Sequence, residues 1–167
     1  NRIDIHFIVH IIRYNDVGVI VMNSEQIKHK VESLCRKYNS RDPFFITDSM
    51  GILLTIEPLG ALNGYYTKKY RIKHIHINER LSRQEQHFTC AHELGHAILH
   101  PDSNTPFLTK NTSLSVNKLE AEANKFAVEF LIPDDILCEY VYDYGYTTEQ
   151  IARILGYQKD LIDLRLK

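Results

Sequence analysis

The chain has 167 residues, 44% of them hydrophobic, and a formal net charge of −1. This length and composition suffice for one compact domain with a buried core. A nearly neutral chain has no general electrostatic attraction for nucleic acids or membrane surfaces. The three cysteines, Cys35, Cys90 and Cys138, are odd in number and widely spaced. They argue against a disulfide framework and predict a reducing, cytoplasmic location.

The first 21 residues form an N-terminal extension with two interpretations. Two apolar runs are interrupted at 13–16, and neither reaches the ~20 apolar residues of a membrane span. The runs could pair as a β-hairpin that turns at 15–18. Alternatively, they are a leader that precedes a domain starting at Met22, the first methionine. We favour the leader.

The elements after Met22 can be followed in chain order. Ser24 is expected to cap a first helix, and Asp42-Pro43 to begin a short second helix that ends near Gly51. Alternating β-branched and aromatic residues predict three strands at 52–56, 64–67 and 70–78, with a turn near Lys68-Lys69. Helices followed by a small sheet predict an α+β fold.

A longer helix follows the third strand. Ser82 and Glu85 form an S-x-x-E capping box at its start, and Pro101 ends it after about 18 residues. Its middle reads His92-Glu93-Leu94-Gly95-His96. The two histidines lie one turn apart on one helix face and can bind one Zn²⁺, while Glu93 can accept a proton from water. Gly95 costs roughly 1 kcal/mol of helix propensity, which indicates close approach of another element or of a substrate backbone.

The next helical segment offers a third metal ligand. Glu120 borders its apolar face, whereas Glu122 lies about 200° around the helix axis from that face. Glu120 is therefore the preferred ligand and Glu122 the alternative. Asn117 and Glu120 also fit an N-x-x-E capping box, which leaves open a purely structural role for Glu120. Pro133 is expected to end the segment.

The sequences TCAHELGHAILHP and LEAEANKFAVEFLIP resemble the ImmA/IrrE family of zinc metallopeptidases. The resemblance extends over about residues 22–157. It implies that His92, His96 and Glu120 bind zinc and that Glu93 is the catalytic base. It also implies a protein substrate, namely a helix-turn-helix repressor of a mobile element, prophage or stress regulon.

Other histidines and tyrosines are weaker candidates. His74 and His76 form an H-x-H pair on one strand face, but two half-exposed histidines explain the pattern better. His100 is expected at the helix C-terminus rather than on the metal. Oxyanion stabilisers could come from the tyrosines of one short segment, Tyr140, Tyr142, Tyr144 and Tyr146. The strand at 72–77 is expected to be a sheet edge that holds substrate by strand addition.

The C-terminal part is predicted to be helical. Asp134 is expected to cap a helix that reaches Tyr144 and stops at Gly145. Residues 146–167 resemble a helix-turn-helix hairpin, but their four basic and three acidic side chains do not form a DNA-binding surface. We expect this hairpin to pack on the catalytic domain or to dock a protein substrate.

Together these patterns predict three segments: the extension 1–21, a small zincin-like metallopeptidase domain at 22–145 with a short antiparallel sheet, and the helical hairpin 146–167. The predicted function is zinc-dependent cleavage of a helix-turn-helix repressor, without nucleic-acid or membrane binding. Mn²⁺ or Fe²⁺ could occupy the same N,N,O site. The alternative is a non-proteolytic anti-repressor whose metal is structural. A base beside the two histidines argues against that alternative, because a structural metal needs none.

Overall fold

The computed structural model describes residues 22–105 and 114–167, with side chains from residue 118 onward in the second range. These residues form an α+β fold, as predicted, and the extension 1–21 lies outside them. The helices are α1 (Ser24–Tyr38), α2 (Pro43–Ser49), α3 (Arg83–Leu99), α4 (Leu114–Leu131), α5 (Asp134–Cys138), α6 (Thr148–Leu155) and α7 (Lys159–Leu166). The strands are β1 (Leu53–Glu57), β2 (Gly64–Lys69) and β3 (Ile72–Asn78).

The sheet is mixed, so the prediction of an antiparallel sheet is wrong. Its strand order is β1-β3-β2, with β3 antiparallel to β2 and parallel to β1. The β2–β3 turn lies at Tyr70 and Arg71, two residues later than predicted, and both residues have positive φ, as a tight hairpin turn requires.

The central position of β3 also contradicts the prediction that residues 72–77 form a sheet edge. Both sides of β3 are paired, so its main chain has no free edge for a substrate. The outer edge of β2 is partly occupied as well. The Tyr66 amide donates to Thr105 Oγ1 at 2.7 Å, and the Lys68 amide donates to Asn104 Oδ1 at 2.7 Å.

Side-chain caps define the first three helices. Asn23, not Ser24, is the N-cap of α1, because its side chain accepts from the Gln26 amide while the Gln26 side chain accepts from the Asn23 amide. Asp42 caps α2, and Ser82 with Glu85 forms the predicted capping box of α3. These local patterns fix the start of the helix that carries His92 and His96.

Helix α4 begins at Leu114, so Asn117 lies inside the helix and is not its N-cap, which contradicts the alternative interpretation of Asn117 and Glu120 as a capping box. The helix ends at Leu131, before Pro133, as expected.

Asp134 is the first residue of α5 rather than its N-cap, because Pro133 holds the N-cap position. The chain then forms a π-helical turn at Glu139–Asp143 instead of a continuous α-helix. Gly145, with φ of 65°, follows it.

Two apolar clusters organise the described residues. The larger one packs the inner sheet face, with Tyr66, Ile75 and Ile77, against α3 and the Phe126 side of α4. The smaller one joins α4 to the C-terminal helices through Val128, Ile151 and Ile162. Among residues 22–105 and 114–167, no helix is long and apolar enough to cross a membrane.

Buried charges fix α7 to α4. Arg165 donates to the Ile132 carbonyl, lies 3.4 Å from Glu129 Oε1 and also pairs with Asp134. Lys125 binds Glu129 at 2.9 Å and donates to the Leu164 carbonyl at 3.1 Å. Because each charge has a partner, the network holds the end of the chain against the helix that carries Glu120.

Candidate active site

The predicted metal ligands come together where α3 crosses α4. The Nε2 atoms of His92 and His96 lie 3.1 Å apart. Glu120 Oε2 lies 3.2 Å from His92 Nε2, and Glu120 Oε1 lies 3.4 Å from His96 Nε2. Metal–ligand bonds of about 2.0–2.1 Å in a tetrahedral site require roughly 3.3 Å between ligand atoms. The two histidine nitrogens and the Glu120 carboxylate, each of whose oxygens faces a different histidine, therefore lie at separations close to this value. These three residues are the metal-type cluster found among the described residues.

Gly95 allows the two helices to meet closely. A Cβ atom at this position would lie 3.2 Å from Cβ and Cδ1 of Phe126 and 3.3 Å from Cα of Ala123. The predicted close approach is therefore that of α4 rather than of a substrate backbone. It brings the first turns of the Glu120 helix within reach of both histidines.

Asn124 orients His92. Its Oδ1 lies 2.9 Å from His92 Nδ1, so this nitrogen can carry the proton and donate it. The lone pair of His92 is then on Nε2, toward Glu120 and His96. A hydrogen bond to the second ring nitrogen is the usual way in which proteins fix the tautomer of a metal-binding histidine.

Electrostatics in the cluster follow from burial and contact. Burial acts to raise the pKa of Glu120, but hydrogen bonds to His92 and His96 outweigh it and hold this pKa well below its usual range. Burial favours the neutral form of a histidine, and it lowers the pKa of His96. At His92 the neighbouring carboxylates of Glu120 and Glu93 outweigh burial and raise the pKa. An ionised carboxylate beside histidine nitrogens is the donor set that a divalent cation needs.

Glu93 is 5% exposed and borders the same cleft. Burial raises its pKa to about 7, the Glu120 carboxylate acts in the same direction, and His92 and the Thr105 hydroxyl oppose the rise. Thr105 Oγ1 lies 3.3 Å from Glu93 Oε2. The same hydroxyl accepts from the Tyr66 amide, so it links Glu93 to the edge of β2.

The cleft above these residues has a volume of about 400 Å³. One wall is residues 61–65, at the start of β2, and the floor comes from α3 and α4. Tyr65 and Thr105 line it, and both were missed by the sequence interpretation. No local pattern marks them, because a strand and a loop bring them to the site from a distance in sequence. None of the four tyrosines between 140 and 146 lines the cleft.

The other candidates lie elsewhere. Glu122 accepts from the Met22 amide at 2.9 Å and lies 3.1 Å from His100 Nε2, on the far side of α4 from the cluster. His100 is the C-cap of α3, as its position predicted.

The two strand histidines are half-buried on the outer sheet face. His74 lies 2.8 Å from Thr55 Oγ1, and His76 lies 2.5 Å from Glu57 Oε1. Cys90 is fully buried.

Comparisons with known proteins identify the family of the chain. Residues 47–167 match the M78 peptidase family, described as the IrrE N-terminal-like domain. The chain is 39% identical over 140 residues to "Uncharacterized immunity region protein 2" of Bacillus phage phi105, covering 83% of this chain and 88% of that protein. It is 34% identical over 154 residues to "Metallopeptidase ImmA" of Bacillus subtilis strain 168, covering 89% of this chain and 88% of that protein.

A solved structure shows a similar fold. The "Mycobacterium tuberculosis transcriptional regulator" superposes with a TM-score of 0.60 at 15% identity, over 85% of this chain and 46% of that one. At this identity the likeness concerns the fold alone. The family match covers well over half of the chain, and the phage and Bacillus subtilis relatives are each aligned over 88% of their length. The chain therefore belongs to the M78 peptidase family, with ImmA and IrrE, and it is a metallopeptidase.

Proposed function

We propose that this metallopeptidase binds Zn²⁺ through His92, His96 and Glu120 and uses Glu93 as the general base to cleave a helix-turn-helix repressor. The observation that carries the proposal is that the two histidine nitrogens lie 3.1 Å apart and each lies 3.2–3.4 Å from a carboxylate oxygen of Glu120, in a cleft that the buried Glu93 also lines. Two histidines and one carboxylate are a common ligand set of catalytic zinc sites, which leave one position for water or substrate. Manganese or iron fit the same donors, so metal analysis has to identify the ion.

The chemistry of the chain's own residues follows from their positions. A bound divalent cation would supply Lewis-acid polarisation of a peptide carbonyl and of water. Glu93 is the carboxylate that can then accept the proton of the attacking water and deliver it to the leaving amine. Thr105 holds Glu93 toward the cleft, and Asn124 holds the ring of His92. The wall at residues 61–65 limits the orientation in which a peptide can enter.

A repressor substrate is supported by the family and by the shape of the cleft. One relative is named for a phage immunity region, which fits a role in the control of a mobile element. The cleft opens to solvent, so a peptide segment can enter without a large rearrangement. Narrow recognition of one protein would protect other proteins from cleavage.

The test incubates the protein with the repressor encoded beside its gene, with and without a chelator. We expect defined fragments that disappear with chelator and return with Zn²⁺. Glu93→Gln is the matched control: it preserves side-chain shape but removes the base, so we expect unchanged metal content and cleavage slower by roughly 10²–10⁴-fold. An intact repressor under all conditions would contradict the proposal. Equal release of operator DNA by parent and Glu93→Gln would instead favour the non-proteolytic anti-repressor.

A further inference from the structure

The tyrosines near the C-terminal end of α5 form an aromatic surface away from the cleft. The ring centroids of Tyr144 and Tyr146 are 5.3 Å apart, and those of Tyr140 and Tyr146 are 6.0 Å apart. Tyr142 is 81% exposed and Tyr144 is 53% exposed. Tyrosine rings are enriched at protein interfaces because they bury apolar area and still carry a hydroxyl group. Tyr140 and Tyr146 are half-buried and pack on the smaller apolar cluster, whereas the exposed rings of Tyr142 and Tyr144 have no role in the cleft or in that cluster.

The backbone presents these rings in a fixed arrangement. The Tyr144 amide donates to the Glu139 carbonyl at 3.0 Å across the π-helical turn, and the Tyr146 amide donates to the Tyr140 carbonyl at 2.9 Å. The Tyr144 hydroxyl also donates to Glu139 Oε1 at 2.9 Å. Single π-turns occur frequently at functional sites. A surface that is already ordered loses little conformational entropy when a partner binds.

The sequence around the rings is acidic. Residues 126–152 contain six acidic residues and neither lysine nor arginine. Glu129 and Asp134 are paired with Lys125, Lys28 and Arg165, and Glu149 lies 3.7 Å from Lys159. In contrast, Glu139 and Asp143 form no ion pair with any side chain in the described part of the chain. We call this surface the tyrosine–acid face; it consists of Glu139, Tyr140, Tyr142, Asp143, Tyr144 and Tyr146.

We infer that the tyrosine–acid face docks the cationic, DNA-contacting surface of the repressor, an inference that rests on the proposed function. A protein that binds operator DNA must present lysine or arginine to the phosphates. Guanidinium and ammonium groups bind over tyrosine rings, and the flanking carboxylates complement their charge. A second copy of this chain fits poorly, because a twofold contact through this face would bring two acidic surfaces together.

The first experiment measures repressor cleavage by the full chain and by two surface variants. One variant is Glu139→Gln with Asp143→Asn, which removes both charges at constant shape, and the other is Tyr142→Ala. The matched controls are Asp48→Asn and Tyr70→Ala, which lie elsewhere on the surface. Asp48 is exposed, and Tyr70 is 87% exposed. We expect KM to rise about tenfold or more in the face variants, at unchanged kcat and metal content, as for interface anchors. We also expect the KM of the parent to rise with salt more steeply than that of the charge variant.

The second experiment does not require the repressor. A ¹⁵N-labelled full chain is titrated with a synthetic arginine-rich helical peptide at low salt, and amide shifts are expected in residues 139–146. If both face variants cleave the repressor with the parent's KM, the docking face is wrong and the proposed function stands. The same holds if the peptide shifts amides outside residues 139–146. An uncleaved repressor together with shifts confined to residues 139–146 would overturn the proposed function and support the face. A dimer that Tyr142→Ala dissociates would show that a second copy occupies the face, and would overturn the inference.

Discussion

Gly95 lies directly against Phe126, and this contact sets the distance between the two helices that carry the candidate metal ligands. A Cβ atom at Gly95 would lie only 3.2 Å from the nearest atoms of the Phe126 side chain. A larger residue therefore requires the Phe126 side chain or α4 itself to shift, and we expect a bulky side chain to move α4 away from α3. Since Glu120 comes from α4 and the two histidines from α3, the same displacement would open the donor cluster.

We predict that Gly95→Leu lowers both the melting temperature and the metal affinity. Overpacking of a tight helix contact costs typically about 1–3 kcal/mol. Gly95→Ala is the graded control, with a smaller effect, because the roughly 1 kcal/mol gained in helix propensity offsets part of the crowding. Thermal unfolding and metal titration measure the two effects. A leucine variant with the parent's metal affinity would show that the helix spacing does not control the cluster.

We predict that Glu120→Gln loses bound metal, whereas Glu122→Gln retains it. The Glu120 carboxylate contacts both candidate histidine ligands, but Glu122 faces His100 and the Met22 amide. Glu122→Gln keeps an acceptor for that amide, so its fold should be preserved. Metal analysis by mass spectrometry after dialysis provides the comparison, with circular dichroism as the control for folding. The reverse order of metal loss would identify Glu122 as the ligand.

Thr105 is expected to be a positioning residue for Glu93. Thr105→Val would leave the buried Tyr66 amide without its acceptor, at a cost of about 1–3 kcal/mol, and would remove the hydrogen bond to Glu93. Thr105→Ser keeps the hydroxyl and should restore both properties. We expect the valine variant to show a reduced kcat and a lower melting temperature, with unchanged metal content. Equal kcat in the valine and serine variants would exclude a positioning role.

Arg165 is expected to stabilise the fold without acting in the chemistry. Arg165→Met removes the contacts to Glu129, Asp134 and the Ile132 carbonyl, although Lys125 still pairs with Glu129. Loss of one partner from a buried ion network typically costs about 3–5 kcal/mol, and the remaining lysine should keep the loss at the lower end. Denaturant unfolding at constant pH measures it. Arg153→Met, at an exposed position of α6, is the control and should change stability by less than about 0.5 kcal/mol.

Local patterns predicted much of this architecture, because caps and helical faces depend on neighbouring residues. The Ser82–Glu85 capping box marks the start of α3, and the angular position of Glu120 on its helix distinguishes it from Glu122. The errors concern relations between distant segments. The sheet order, with β3 in the centre, depends on how β1 and β2 pack and not on the alternation within residues 72–77. Thr105 reaches Glu93 only because the loop after α3 folds back along β2.

The two sides of the cleft come from different parts of the architecture. Helices α3 and α4 provide the candidate ligands and Glu93, whereas the opposite wall is the short segment at residues 61–65. Loops and strand ends tolerate substitution better than helix–helix contacts. Mutations in this wall can therefore change which peptides are accepted while the reacting groups stay in place. We therefore expect a change of target to require changes in this one segment only, while the helices that carry the candidate ligands stay the same.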